Sequence, residues 1–141
     1  MNWEGLPNTI NSLLSKQGEG YVLNGKKNFV IDGSISDYLI VSSKDESGSN
    51  TMLVLVDSKS DGITYNNKVH MDSRTYSDIS FSNVKVDKSN LLSEENDGDS
   101  ILEKTFDIAR VGLAAEMLGS VQEAFEMTMS YLKEREQFGV K

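Results

Sequence analysis

The sequence predicts an α+β chain in which an antiparallel β domain, of sandwich or barrel type, is followed by one long helix. Three observations carry this. Between Gly18 and Val86 the text breaks into short β-prone runs separated by turn residues, the pattern of an antiparallel sheet, sandwich or barrel. A glycine- and acid-rich stretch then opens at Asp97, and from residue 101 to about 134 no proline interrupts the chain. Across that span Leu102, Phe106, Ala109, Leu113, Met117, Val121, Phe125 and Leu132 recur mostly at three- or four-residue steps, the period of one helical face.

Taken in order, the first sixteen residues carry no motif, and Ile10–Leu14 reads as a lead-in or an edge strand. Tyr21–Ile31 contains two β-prone runs around Asn24-Gly25, the strongest short-range signal for a hairpin. Asp32-Gly33 ends the second run. Tyr38–Ser42 is a further strand, Lys44–Asn50 a polar turn, and Met52–Val56 a continuous apolar run that predicts a central strand. Shorter strands are expected at Ile63–Tyr65, Lys68–Met71, Asp78–Phe81 and Val84–Val86. Ser100-Ile101-Leu102-Glu103 has the form of a capping box, in which each polar side chain answers a free backbone N–H. The helix it opens would run roughly 50 Å at 1.5 Å per residue. No other segment looks helical enough to cover it, so its packing partners are expected outside this chain.

Composition narrows the function classes. The 141 residues suit one domain, and 38% hydrophobic with 26% charged residues suits a folded chain rather than a disordered one. No apolar run approaches the roughly 18 residues of a membrane span. Cysteine is absent and His70 is the single histidine, which excludes thiolate chemistry and a histidine-based metal cluster. The net charge of −8 opposes broad nucleic-acid binding, yet leaves room for an anionic cofactor held by a few arginines and backbone N–H groups. A cytoplasmic chain is expected.

Two sets of polar residues stand out from the solvated carboxylates of the loops. Arg110 falls among Ala109, Val111, Gly112 and Leu113, where a charge needs a partner. Asp107 one turn earlier, or an anionic ligand, would serve. Arg135 and Gln137 lie where the helix runs out beside Phe138-Gly139, which taken alone is ordinary helix-end chemistry.

In combination these residues say more. Gly20–Gly33 (GYVLNGKKNFVIDG), Phe81–Val86 (FSNVKV) with Asn90-Leu91-Leu92, and Tyr131 followed by Arg135-Glu136-Gln137-Phe138-Gly139 occur in a fixed order. From about Gly18 to its end the chain resembles the flavin-dependent acyl-CoA dehydrogenases. Met71–Thr75, Ala115–Gly119 and Arg135–Val140 resemble the branch that contains the small subunit of pimeloyl-CoA dehydrogenase. The resemblance implies a partial lead-in over residues 1–17, a middle β domain over 18–92, a linker over 93–99 and the first helix of a truncated C-terminal bundle over 100–141. It implies FAD as cofactor and an acyl-CoA as substrate, desaturated between its α- and β-carbons. It also implies a homo- or hetero-oligomer with another subunit of the family.

The site roles follow from the same resemblance. Phe29, Val30 and Ile31 stand where the family has Trp-Ile-Thr against the flavin ring, and Ile31 lacks the threonine hydroxyl. Arg135 and Gln137 match donors to the flavin nucleotide of a neighbouring subunit, with Phe138 ordering their loop. Phe106, Asp107 and Arg110 match the acyl-CoA wall. Ala109 stands where some relatives place the base glutamate, so no catalytic base is expected in this chain. Two other readings remain: a non-catalytic small subunit of a heteromeric enzyme, and a β module with an oligomerising helix that acts in protein interaction.

Overall fold

The computed structural model describes residues 10–72, 74–94 and 97–139. Trp3, Leu6 and Pro7, together with Ser73 and Val140 of the motifs above, lie outside them. The chain forms two compact units, one ending at Ile101 and the other starting at Leu102.

The first unit is a six-stranded sheet of β1 (Ser12–Gln17), β2 (Gly20–Ile31), β3 (Tyr38–Lys44), β4 (Thr51–Asp57), β5 (Ile63–Val69) and β6 (Thr75–Val86), in the order β4-β3-β1-β2-β6-β5. All neighbours are antiparallel except β1 and β3, which meet in parallel. The sheet is curled, because β4 and β6 touch although three strands separate them in the order. Inside the curl Leu14, Leu23, Leu39, Val41, Met52, Val54, Val56, Ile79, Phe81, Val84 and Val86 form one buried cluster. They come from five strands largely at every second position, as a half-buried pleated surface requires.

The expected fold class therefore holds, while four local expectations change. Ser12–Gln17 is neither a lead-in nor an edge: it lies between β3 and β2 and contributes Leu14 to the core. The hairpin closes at Gly18-Glu19, with Gln17 paired to Gly20, instead of at Asn24-Gly25. β2 runs straight through Asn24-Gly25, because β1 pairs with it on one side and β6 on the other. Asn24 sits at a bulge, and its side-chain oxygen accepts the N–H of Asn83 at 2.8 Å. Gly25 is required there by proximity: a Cβ would come within 2.6 Å of Asn11 O and of Ser12 Cα.

The third change is that the four short strands expected after residue 62 are two longer ones, β5 and β6, paired without interruption from Ile63↔Phe81 to Val69↔Thr75. The fourth concerns β4. Its run Thr51–Val54 is buried on both faces, which explains the continuous apolar text, but β4 ends the sheet instead of centring it. The segment after a 3-10 turn (Lys88–Asn90) covers that edge. Leu92 N–H donates to Leu53 O at 2.8 Å, Leu53 N–H donates to the Ser93 hydroxyl at 2.9 Å, and Leu91 bridges Val54.

Helix α1 spans Gly98–Glu134, so it starts before the expected capping box. The first helical bond runs from Ile101 N–H to Asp97 O, at 3.0 Å, and Ser100 lies inside the first turn. Gly98 is buried against Thr51, whose carbonyl oxygen would be 2.0 Å from an added Cβ. In the second unit every residue from Glu103 to Glu134 is exposed. The expected apolar stripe is present, but Ile108, Val111 and Leu118 are also exposed, at 76%, 72% and 68%, and point well away from it at about 100° per residue. Apolar side chains on more than one side of a helix call for cover on more than one side.

Candidate functional site

The residues to which the sequence assigned roles fall into three groups of side chains. The first is at the end of β2. Between Lys27 and Val30 the pairing with β6 slips, and Phe29 occupies the bulge with φ of 58°. A bulky residue seldom takes this left-handed conformation. Here the Phe29 N–H donates to the Asp78 carboxylate at 3.1 Å. Lys68 donates to the same carboxylate at 2.7 Å, and this bond, followed by that from Phe29, holds the Asp78 carboxyl below the usual carboxylate range.

The bulge turns the Phe29 ring onto Tyr76 of β6, stacked at 4.4 Å between centroids and 26° between planes. His70, just beyond β5, meets Phe29 edge-on at 5.3 Å and Tyr76 at 4.3 Å. The Tyr76 hydroxyl donates to Asp72 at 2.9 Å, which pushes the phenol upward. Bonds from the Arg74 N–H and then from Tyr76 pull the Asp72 carboxyl down. Phe29 remains 57% exposed and Ile31 51%, whereas Val30 packs towards the core. Position 31 presents an alkyl group with no hydroxyl.

The second group lies on α1. Arg110 donates to Asp107 at 2.7 Å and to Glu103 at 2.9 Å, and its guanidinium stands 5.8 Å from the centre of the Phe106 ring. The structure supplies the expected Asp107 pair and adds Glu103, two turns earlier, as a second acceptor. These two bonds, Glu103 first, raise the arginine above its ordinary value. The cluster is exposed in this unit, so its arginine is charged and held in place rather than buried.

The third group ends the helix. Arg135 lies 5.5 Å from the centre of the Tyr131 ring and has no ion pair among the described residues. Phe138 and Gly139 both take positive φ, 56° and 80°, so the chain reverses immediately after Gln137. An unpaired guanidinium on an ordered helix end can offer two parallel N–H bonds to a phosphate.

Sequence reading did not find Tyr76, Asp72 or Asp78, and it left His70 without a role. Phe29 and Tyr76 are far apart in the chain and meet only because Ile31 pairs with Tyr76 across β2 and β6. The one available signal was the lone histidine close to an aromatic-rich strand. Another polar group is Lys27, which burial pushes down and which donates to the Ser42 hydroxyl at 3.1 Å. Among the described residues no group of three or more acidic or histidine side chains could hold a metal ion.

Two segments of a known family match the chain in order. The middle domain of acyl-CoA dehydrogenases matches residues 7–84, and their C-terminal domain matches residues 96–141. A 3-(aryl)acrylate reductase of Clostridium sporogenes is 38% identical over 129 residues, which are 87% of this chain and 34% of that protein. Subunit CarC of the caffeyl-CoA reductase-Etf complex of Acetobacterium woodii is 35% identical over 128 residues, 86% of this chain and 34% of the relative. The glutaryl-CoA dehydrogenase of Mycobacterium smegmatis in complex with FADH2 superposes with a TM-score of 0.83 at 25% identity, over 95% of this chain and 35% of that one. The chain belongs to the acyl-CoA dehydrogenase family. It spans about a third of the length of these relatives.

Proposed function

We propose that this chain is the middle β domain and first bundle helix of an FAD-dependent enzyme acting on the α,β-bond of an acyl-CoA thioester. The domain plan belongs to the same proposal: the sheet through Leu92 as middle domain, residues 93–99 as linker, and the helix from residue 100 as part of a bundle completed by other segments or subunits. One observation carries the reading: the two family segments match, in order, the β unit and the helix. No helix among the described residues is long and apolar enough to cross a membrane, and we place the enzyme in the cytoplasm.

The residues present fit FAD. Phe29 and Ile31 offer an exposed apolar surface for a planar ring, and Arg135, unpaired among the described residues, offers a cation for the pyrophosphate of a neighbouring subunit's FAD, with Gln137 beside it and Phe138 shaping the turn. When bound, FAD supplies the hydride acceptor. Phe106, Asp107 and Arg110 form a wall for the acyl-CoA, where Glu103 and Asp107 fix the guanidinium so that it can meet an anionic or carbonyl group without reorganising. Asp107, the one carboxylate among the residues assigned to these roles, is engaged by Arg110, and none of them is assigned as the base. Proton removal from the α-carbon is assigned to a carboxylate outside this chain. The relatives that carry reductase names support reading the same site in either direction, set by the electron partner.

A second reading has a specific observation behind it. Ile31 cannot donate a hydroxyl to the ring and Ala109 cannot act as base, which favours a supporting subunit whose Arg135 and Gln137 serve another chain's flavin. The test is a graft. Residues 12–139 replace the matching third of a flavin-binding relative, and the chimera is dialysed and read by flavin absorbance. Retained flavin that falls at least tenfold with Arg135→Ala supports the proposal. A folded chimera that never turns yellow, even with Ile31→Thr, refutes the flavin role of this chain's own β domain. The 141-residue chain alone is expected to be colourless after dialysis against FAD.

A further inference from the structure

We propose that Tyr76 and His70 hold Phe29 as the outer ring of a three-ring stacking platform for the flavin ring, with Asp78 bracing its backbone. The inference rests on the flavin reading above and adds residues that it does not use. Phe29 costs the fold something on two counts: a left-handed backbone at a bulky residue, and an aromatic ring 57% exposed. Neither is needed to close the sheet, since the pairing of β2 with β6 resumes at Val30.

What the arrangement achieves is orientation. The Asp78 carboxylate accepts the Phe29 N–H, so the bulge cannot relax without breaking a bond to a carboxylate that Lys68 also holds. Tyr76 is buried beneath Phe29 and fixed in rotation by its hydroxyl bond to Asp72. His70 closes the side with an edge contact to Phe29. One face of Phe29 is thus backed by a second ring, while the side chain as a whole stays 57% exposed. An exposed aromatic ring on a rigid support takes a planar, electron-poor ring by offset stacking. Tyr76 and His70 act through Phe29 and are positioning residues.

The experiment uses the chimera described above, stripped of FAD, and lumiflavin, which has the ring without the ribityl chain or phosphates. Binding is read from quenching of lumiflavin fluorescence, and the fold of each variant from far-UV circular dichroism. Saturable quenching is expected, weakened about three- to tenfold by Tyr76→Leu and by His70→Leu, the worth of an aromatic contact. Tyr76→Phe, which keeps the ring, should restore most of it. Should Tyr76→Leu disturb the fold, His70→Leu, at an exposed position, decides alone. Binding that Phe29→Ala abolishes but His70→Leu and Tyr76→Leu leave unchanged would overturn the platform and leave the flavin reading standing. No saturable quenching, or quenching indifferent to Phe29→Ala, would overturn both.

Discussion

Glycine-to-alanine changes within α1 should act with opposite signs at its start and in its interior. At Gly98 a Cβ would sit 2.0 Å from Thr51 O and 2.6 Å from Thr51 C. Ordinary contact begins near 3.4 Å, so the helix start or β4 must move by about 1.4 Å. The atoms met are backbone, held in the sheet through pairing of Thr51 with Lys44, and no side-chain rotation relieves them. Overpacking of this kind costs ~1–3 kcal/mol. The better helix propensity of alanine returns at most ~1 kcal/mol, and less at the first helical position. Gly98→Ala is therefore expected to destabilise the β unit by ~1–2 kcal/mol. Gly112 meets nothing within 4 Å, so Gly112→Ala should stabilise the helix by ~0.8–1 kcal/mol in the isolated chain. Urea titrations followed by tyrosine fluorescence for the sheet and by ellipticity at 222 nm for the helix separate the two effects. A neutral or stabilising Gly98→Ala, with the sheet signal unmoved, would refute the close approach of Gly98 to Thr51.

Three further outcomes are expected. The Asp78 carboxyl is depressed in the folded state by Lys68 and the Phe29 N–H, so its contribution is present above the unfolded value, near 4, and is lost as pH falls through the folded value. Acid titration should therefore loosen the Phe29 bulge only below about pH 4, an Asp78→Asn variant should remove that step, and near-ultraviolet circular dichroism of the rings reports it. In a flavin-binding chimera Ile31→Thr should tighten flavin by ~0.5–1.5 kcal/mol, one net hydrogen bond. An unchanged or weaker dissociation constant would mean that position 31 does not face the ring. The chain alone should self-associate through the apolar surface of α1, and a monodisperse monomer in light scattering at micromolar concentration would contradict that.

Much of this architecture was legible in the sequence, and the failures have physical causes. The helix was readable because a 3.6-residue period over more than thirty positions has no competing explanation. The apolar residues off the stripe were not, because Ile108 and Leu118 are too sparse to form a second period. β3 and β4 were readable as apolar runs, but a strand's place in a sheet is a non-local property. The text of Met52–Val56 reports burial, and burial on both faces arises as well from a covering segment as from neighbouring strands. Asn24-Gly25 has the local chemistry of a turn, and two flanking strands outweighed it. The site divided in the same way. Phe29, Arg110 and Arg135 stood out as candidates through their neighbours in sequence. Tyr76 and Asp78 were invisible because only the β2–β6 register brings them to Phe29.

The cover over β4 also decides where this protein can be cut. Leu91, Leu92 and Ser93 supply the last hydrogen bonds of the sheet, and they belong to the stretch that leads out of the β domain. Excising the domain at Val86, where its last strand ends, would leave a row of unpaired groups on a flat apolar strand, a template for another chain to add to. A free-standing β domain must keep its sequence through Ser93, and a recombination point that respects this fold lies after the cover, towards Glu94. The connecting segment is thereby as much a part of the sheet's solubility as any strand within it.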